Sequence, residues 1–154
     1  MIAYLIIFEI VVFITYLYFI IRKFGVLSSI SESWYRFNPG GYTRHLFTLF
    51  LILLGVAMFF HGSLWMALGG SFLCFTGGAA NYKENTTGKI HSIGAVGGIA
   101  FALFDLSLSG ILWPSIFIIV FSLLASYFKI NNRTFWVEVV CFSLIEAGLI
   151  YKVY

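Results

Sequence analysis

Apolar residues run along this chain in six blocks, separated by short polar breaks. The first runs from Ile2 to Ile21 and stops at Arg22-Lys23. The second covers Leu46–Phe60, and the third follows after only His61-Gly62-Ser63, from Leu64 to Ala80. The others are His91–Leu108, Ile111–Phe128 and Phe135–Val153. Runs of this length and uniformity predict helices that cross a bilayer, which needs about 20 apolar residues per crossing. The shorter runs require local thinning or flanking polar residues to complete the span. The first run lacks a basic leader and a small-residue cleavage site, so it reads as a retained helix and not as a signal peptide. The expected fold is an all-α bundle of six transmembrane helices, with residues 1–154 forming one integral membrane domain.

Composition closes off the alternatives. Of the 154 residues, 61% are hydrophobic and only 10% are charged. A soluble domain carries about 25% charged residues, so this chain cannot cover a water-facing surface. Its mean hydropathy of +1.00 agrees. A disordered chain is excluded on the same ground. The net charge of +3 is too small and scattered for a nucleic-acid partner. Cys74 and Cys141 both fall in apolar blocks, which suits burial and says nothing of redox compartment.

The charges tell more by position than by sum. With six spans, one side holds Arg22, Lys23, Arg36, Arg44, Lys83, Lys89, Lys129 and Arg133, and the other holds only Lys152. Basic residues collect on the inner side, so both termini are expected outside. The long inner loop, 22–45, contains an S-x-x-E capping box at Ser29 and Glu32. Ile30, Trp34 and Phe37 then share one face, and Pro39-Gly40-Gly41 ends the run, which predicts a short interfacial helix over 29–38. Packing should centre on the third and fourth spans, where Gly70, Gly78, Gly94, Gly98 and Ala102 allow close backbone approach. Gly94 and Gly98 would serve equally in a homo-oligomer, although five other helices in the chain need partners.

Charged groups inside hydrocarbon are costly, so those retained are the first candidates for function. Glu9, Asp105 and Glu146 all fall in the outer half of their spans, with His61 capping the nearby turn. No buried cation is apparent to neutralise them. Either they face a shared polar cavity that carries protons or a cation, or each finds its own neighbour. A second group gathers at the inner face: Glu32, Trp34, Tyr35, Lys83, Lys89, His91 and Glu138. There Glu138 is expected to pair with Lys89, Lys129 or Arg133, and the surface suits a protein partner or lipid head groups.

Enzymatic signatures fail one by one. A metal site needs three or four convergent ligands, and His61 is predicted on the opposite side from His45 and His91. Ser109-Gly110 has no following histidine to act as base, and Gly88-Lys89 lacks the rest of a phosphate loop. No catalytic residue, metal or cofactor is expected. A membrane enzyme using His91 with Glu32 or Glu138 is a remote alternative.

The segments Ser29-Ile30-Ser31-Glu32-Ser33-Trp34-Tyr35, Leu46-Phe47-Thr48-Leu49-Phe50, Gly77-Gly78-Ala79-Ala80-Asn81-Tyr82-Lys83 and Lys89-Ile90-His91 are similar to a group of small polytopic membrane proteins encoded by bacteria and their phages. The resemblance covers residues 25–100 and carries no activity. It implies a bacterial cytoplasmic membrane or a virion lipid membrane, and it directs attention to the inner face. The first expectation is therefore a non-enzymatic structural or assembly component that docks a partner or head groups on its basic inner face. The alternative is a proton or cation transporter or channel using the outer carboxylates.

Overall fold

The computed structural model describes residues 1–37, 43, 45–79 and 85–154, the last stretch with side chains from residue 91 onward. Among these residues the chain is all helical. The helices are α1 (Ile2–Phe24), α2 (Glu32–Arg36), α3 (His45–Phe59), α4 (Leu64–Ala79), α5 (Asn85–Leu108), α6 (Trp113–Tyr127) and α7 (Arg133–Val153). Three stretches are long and apolar enough to cross a membrane: α1, α7 and the His91–Leu108 part of α5. The apolar helices α3, α4 and α6 are shorter, at 15, 16 and 15 residues.

The apolar blocks became helices with shifted ends. α1 continues past the Arg22-Lys23 break to Phe24, because two basic residues in a last turn complement the carbonyl end of a helix. The predicted 29–38 helix shrinks to the five residues of α2. Its entry is a tight turn in which Ser33 N–H bonds Ile30 O and Trp34 N–H bonds Ser31 O. The capping box forms in altered register: Glu32 N–H donates to Ser29 Oγ at 3.2 Å, while the Glu32 carboxylate accepts the N–H of Ser28 at 2.7 Å. Ile30, Trp34 and Phe37 are buried together as their spacing predicts. Pro39-Gly40-Gly41 lies outside the described residues.

One stripe of α1, Ile6, Glu9, Phe13, Tyr16 and Ile20, faces the core. The opposite stripe, Tyr4, Ile7, Val11, Ile14 and Tyr18, is exposed. α6 buries only Pro114 and Ala125 and turns Ile116, Phe117, Ile119, Val120 and Leu123 outward. These two helices thus present broad apolar faces to their surroundings, as their composition predicts.

α4 is the packing centre, and glycines on two of its faces explain why. Gly70 lies against the backbone of Gly55 on α3, so closely that a Cβ on either would enter the other's carbonyl oxygen. The other face, through Gly69, Phe72, Leu73 and Thr76, meets Gly94, Gly97 and Gly98 of α5. Thr48 Oγ1 ties α3 to the Gly77 carbonyl at 3.0 Å. Two expectations need correction. Gly70 serves the α3–α4 contact, not the α4–α5 contact, and a Cβ at Gly78 would meet open space, so Gly78 is not needed for close helix approach. Helix-face geometry decides the first: residue 70 lies on the side of α4 that α3 occupies. Ala102 is fully buried, as expected of the α5 small-residue stripe.

Candidate functional site: a buried carboxylate–histidine cluster

Two polar clusters occupy opposite ends of the bundle. The first lies at the end that holds both termini. Here the His61-Gly62-Ser63 turn reaches in two directions at once. Gly62 adopts φ 79°, a left-handed conformation that costs glycine little, and this lets its neighbours diverge. His61 turns toward α1, where its Nε2 sits 3.0 Å from Glu9 Oε1. These side chains are 3% and 0% exposed. Ser63 turns toward α5, where its hydroxyl donates to Asp105 Oδ1 in a short hydrogen bond. The same hydroxyl accepts the N–H of Trp65 at 3.2 Å, capping the start of α4.

The third carboxylate, Glu146, enters from α7 and meets Glu9. The two side chains border the same small buried space. Yet Glu9 Oε2 and Glu146 Oε2 are buried and find no protein donor. A carboxylate only accepts, so each of these oxygens is satisfied only by a donor the protein does not supply. Beside them lies a cavity of about 10 Å³, lined by Glu9, Glu146 and apolar side chains including Leu73, Ile99 and Phe142. That is about the least space that holds one water.

Asp105 departs from expectation. Its Oδ2 receives Lys152 Nζ at 2.7 Å, so one of the three carboxylates does have a cation partner. Lys152 is the one basic residue assigned to the termini side, and its charge is consumed internally by α5. Glu9, Glu146 and His61 therefore form one unit, while Asp105, Ser63 and Lys152 form another, joined through the turn.

The second cluster lies at the α2 end. Glu138 accepts the backbone N–H of Ile30 at 2.6 Å. This corrects the expected pairing with Lys129 or Arg133. Arg133 bonds Ser126 Oγ instead, and the Lys89 side chain, like Lys83, lies outside the described residues. Further bonds stitch residues 26–30 onto the start of α7: Phe135 N–H to Ser28 O at 3.0 Å, and Asn132 Nδ2 to Val26 O at 3.0 Å. Glu32 is held by Ser28 and by Arg36 at 2.7 Å, and these bonds keep its carboxyl below the usual carboxylate range. Trp34 is buried and Tyr35 is exposed. His91 rests on the Phe47 ring, with Nδ1 3.4 Å from Thr76 O. His91 and Glu138 line a cavity of about 230 Å³. Glu32 is not among its walls, so only the His91–Glu138 pairing shares one space.

Sequence reasoning missed Ser63 and Lys152. Ser63 carried a local signal, since a serine directly before an apolar run is an N-cap candidate. For Lys152 there was none, because its partner is 47 residues away. Among the described residues no group of three or more histidine, cysteine or acidic side chains could hold a metal ion. The chain matches no protein-family profile, no curated protein and no solved structure.

Proposed function

We propose that this protein is a small integral membrane protein that moves protons or a small cation, using Glu9, His61 and Glu146 as its proton-exchanging station. The observation that carries this reading is that Glu9 and Glu146 border one buried cavity and each keeps a buried oxygen, Oε2, with no protein donor. A purely structural network would be saturated with donors, because each unsatisfied buried polar atom costs stability. A site that must gain and lose a proton is completed only by that proton or by water. His61 extends the station, with its Nε2 3.0 Å from Glu9 Oε1.

The reading takes a six-span topology. α1, α5 and α7 cross fully, and α3, α4 and α6, about 22–24 Å long at 1.5 Å per residue, cross a thinned bilayer. Both termini and the station then face outward, and the eight basic residues named above lie inside. Leu73, Ile99 and Phe142 line both the small cavity at the station and the larger one at the α2 end. The two chambers thus lie end to end with an apolar neck between them, an arrangement suited to opening on one side at a time.

The docking reading has less support. Trp34 is committed to the core and Glu32 to Ser28 and Arg36, so two of its contact candidates are used within the chain.

The test is proton flux in liposomes containing the full chain, measured with a pH-sensitive dye. Flux is expected in the native protein and should fall at least tenfold in Glu9→Gln and Glu146→Gln. Absence of flux in the native protein, or native-level flux in both variants, overturns the proposal.

A further inference from the structure

The cavity at the α2 end has the make-up of a binding site. Its volume is about 230 Å³, and its walls come from the α2 approach and from α3, α4, α5 and α7. Most of the lining is apolar, and three aromatic rings, Phe47, Phe50 and Phe142, contribute to it. The one acidic side chain in the lining is Glu138. One Glu138 oxygen, Oε2, is engaged by Ile30 N–H, and Oε1 is not among the buried oxygens that lack a partner. Among the described residues no lysine or arginine lines the space, and the His91 imidazole does. The lining also includes Val96, which is 66% exposed, and Thr134, which is exposed as well. The mouth therefore lies between α5 and α7. Toward the termini end this seam is closed, because Gly148 packs directly against Leu106. In a membrane such a side opening faces lipid.

A carboxylate beside aromatic faces, in a space that no described lysine or arginine lines, is complementary to one class of guest. The ring faces carry negative potential and the carboxylate supplies the counter-charge. We infer that this cavity binds a small membrane-partitioning organic ammonium, entering between α5 and α7, with Glu138 as its counter-ion. An anionic guest would meet the Glu138 carboxylate without compensation, and a wholly apolar guest would leave that carboxylate desolvated. The inference stands on this cavity alone and does not require proton movement through Glu9 and Glu146.

The experiment is equilibrium binding of benzyltrimethylammonium to the full chain in phosphatidylglycerol nanodiscs. Saturable binding is expected. Neopentylbenzene, its uncharged analogue of the same shape, should compete at least tenfold more weakly. Glu138→Gln should weaken binding at least tenfold, and its amide oxygen can still accept the Ile30 N–H, so the fold is retained. Val96→Trp, which narrows the mouth without touching the carboxylate, should slow or abolish binding and guards against misfolding of the first variant. Equal affinity for the charged and uncharged probes, or unchanged binding in both variants, overturns the inference. Added phosphatidylethanolamine separates the sources of the ammonium group. Displacement of the probe assigns the site to a lipid head group, and no displacement assigns it to a free amine. Glu9→Gln should bind the probe normally even where it abolishes proton flux, so the two proposals fail separately.

Discussion

Replacing Lys152 with methionine should cost far more alone than in company with Asp105→Asn. The Asp105 carboxylate is 6% exposed and bonded to Lys152 Nζ at 2.7 Å. Without the ammonium it retains only the Ser63 hydroxyl as a side-chain donor. Breaking a buried ion pair on one side costs about 3–5 kcal/mol, because a charge is left without compensation. Lys152 is 35% exposed, so solvent already weakens the attraction, and the expected loss falls to about 2–3 kcal/mol. Asp105→Asn alone leaves a lysine that can turn to solvent, and Asn still accepts from Ser63, so it should cost about 1 kcal/mol. The double variant buries no charge and should cost about 1 kcal/mol in all, giving a coupling of about 2 kcal/mol. The assay is reversible unfolding of the four proteins in mixed micelles, followed by circular dichroism at neutral pH. If the double variant loses the sum of the two single losses to within about 0.5 kcal/mol, the pair is not coupled and the reasoning is wrong.

Other expectations follow from the same geometry. Gly70→Ala forces a Cβ into the Gly55 carbonyl and should destabilise by about 1–3 kcal/mol, whereas Gly78→Ala meets open space and should stay within about 0.5 kcal/mol in the same unfolding assay. Gly62→Ala must hold φ 79° with a Cβ, which costs about 1–2 kcal/mol, and it should also reduce liposome proton flux because the turn no longer aims His61 at Glu9. The Glu32 carboxyl is held below its ordinary range by Ser28 and Arg36, so its contribution to docking α2 is present at neutral pH and lost as the pH falls below the ordinary carboxylate range. Trp34 fluorescence should report that loss, and Glu32→Gln should remove the pH dependence; the same titration in the variant would refute the assignment.

Local patterns were legible wherever the cause was local. The 6-9-13-16-20 stripe of α1 is buried, and Glu9 belongs to it by helical spacing. The S-x-x-E signal marked the entry to α2, although the glutamate carboxylate bonds the N–H of Ser28, one residue earlier than the box predicts. Helix ends moved by a few residues because terminal turns are stabilised by charge and capping as well as by apolar content. The small-residue stripes were visible, but their partners were not. Gly70 and Gly98 look alike in sequence, yet one meets α3 and the other meets α4, since each helix presents several faces and the pattern does not name the neighbour.

What the sequence determined by itself was an all-helical chain, an apolar exterior, and a short roster of polar groups too costly to be idle. Composition and periodicity are properties of each segment alone, and solvation acts on each segment separately. Only the tertiary structure decided how the roster divides. Glu9 and Glu146 are 137 positions apart, yet they line one buried cavity. Asp105, equal to them in the sequence, was neutralised by Lys152 and set apart. The cavity that joins His91 to Glu138 likewise exists only where five segments meet. Hydrogen bonds and ion pairs depend on distance in space, and distance along the chain carries no record of which helices become neighbours.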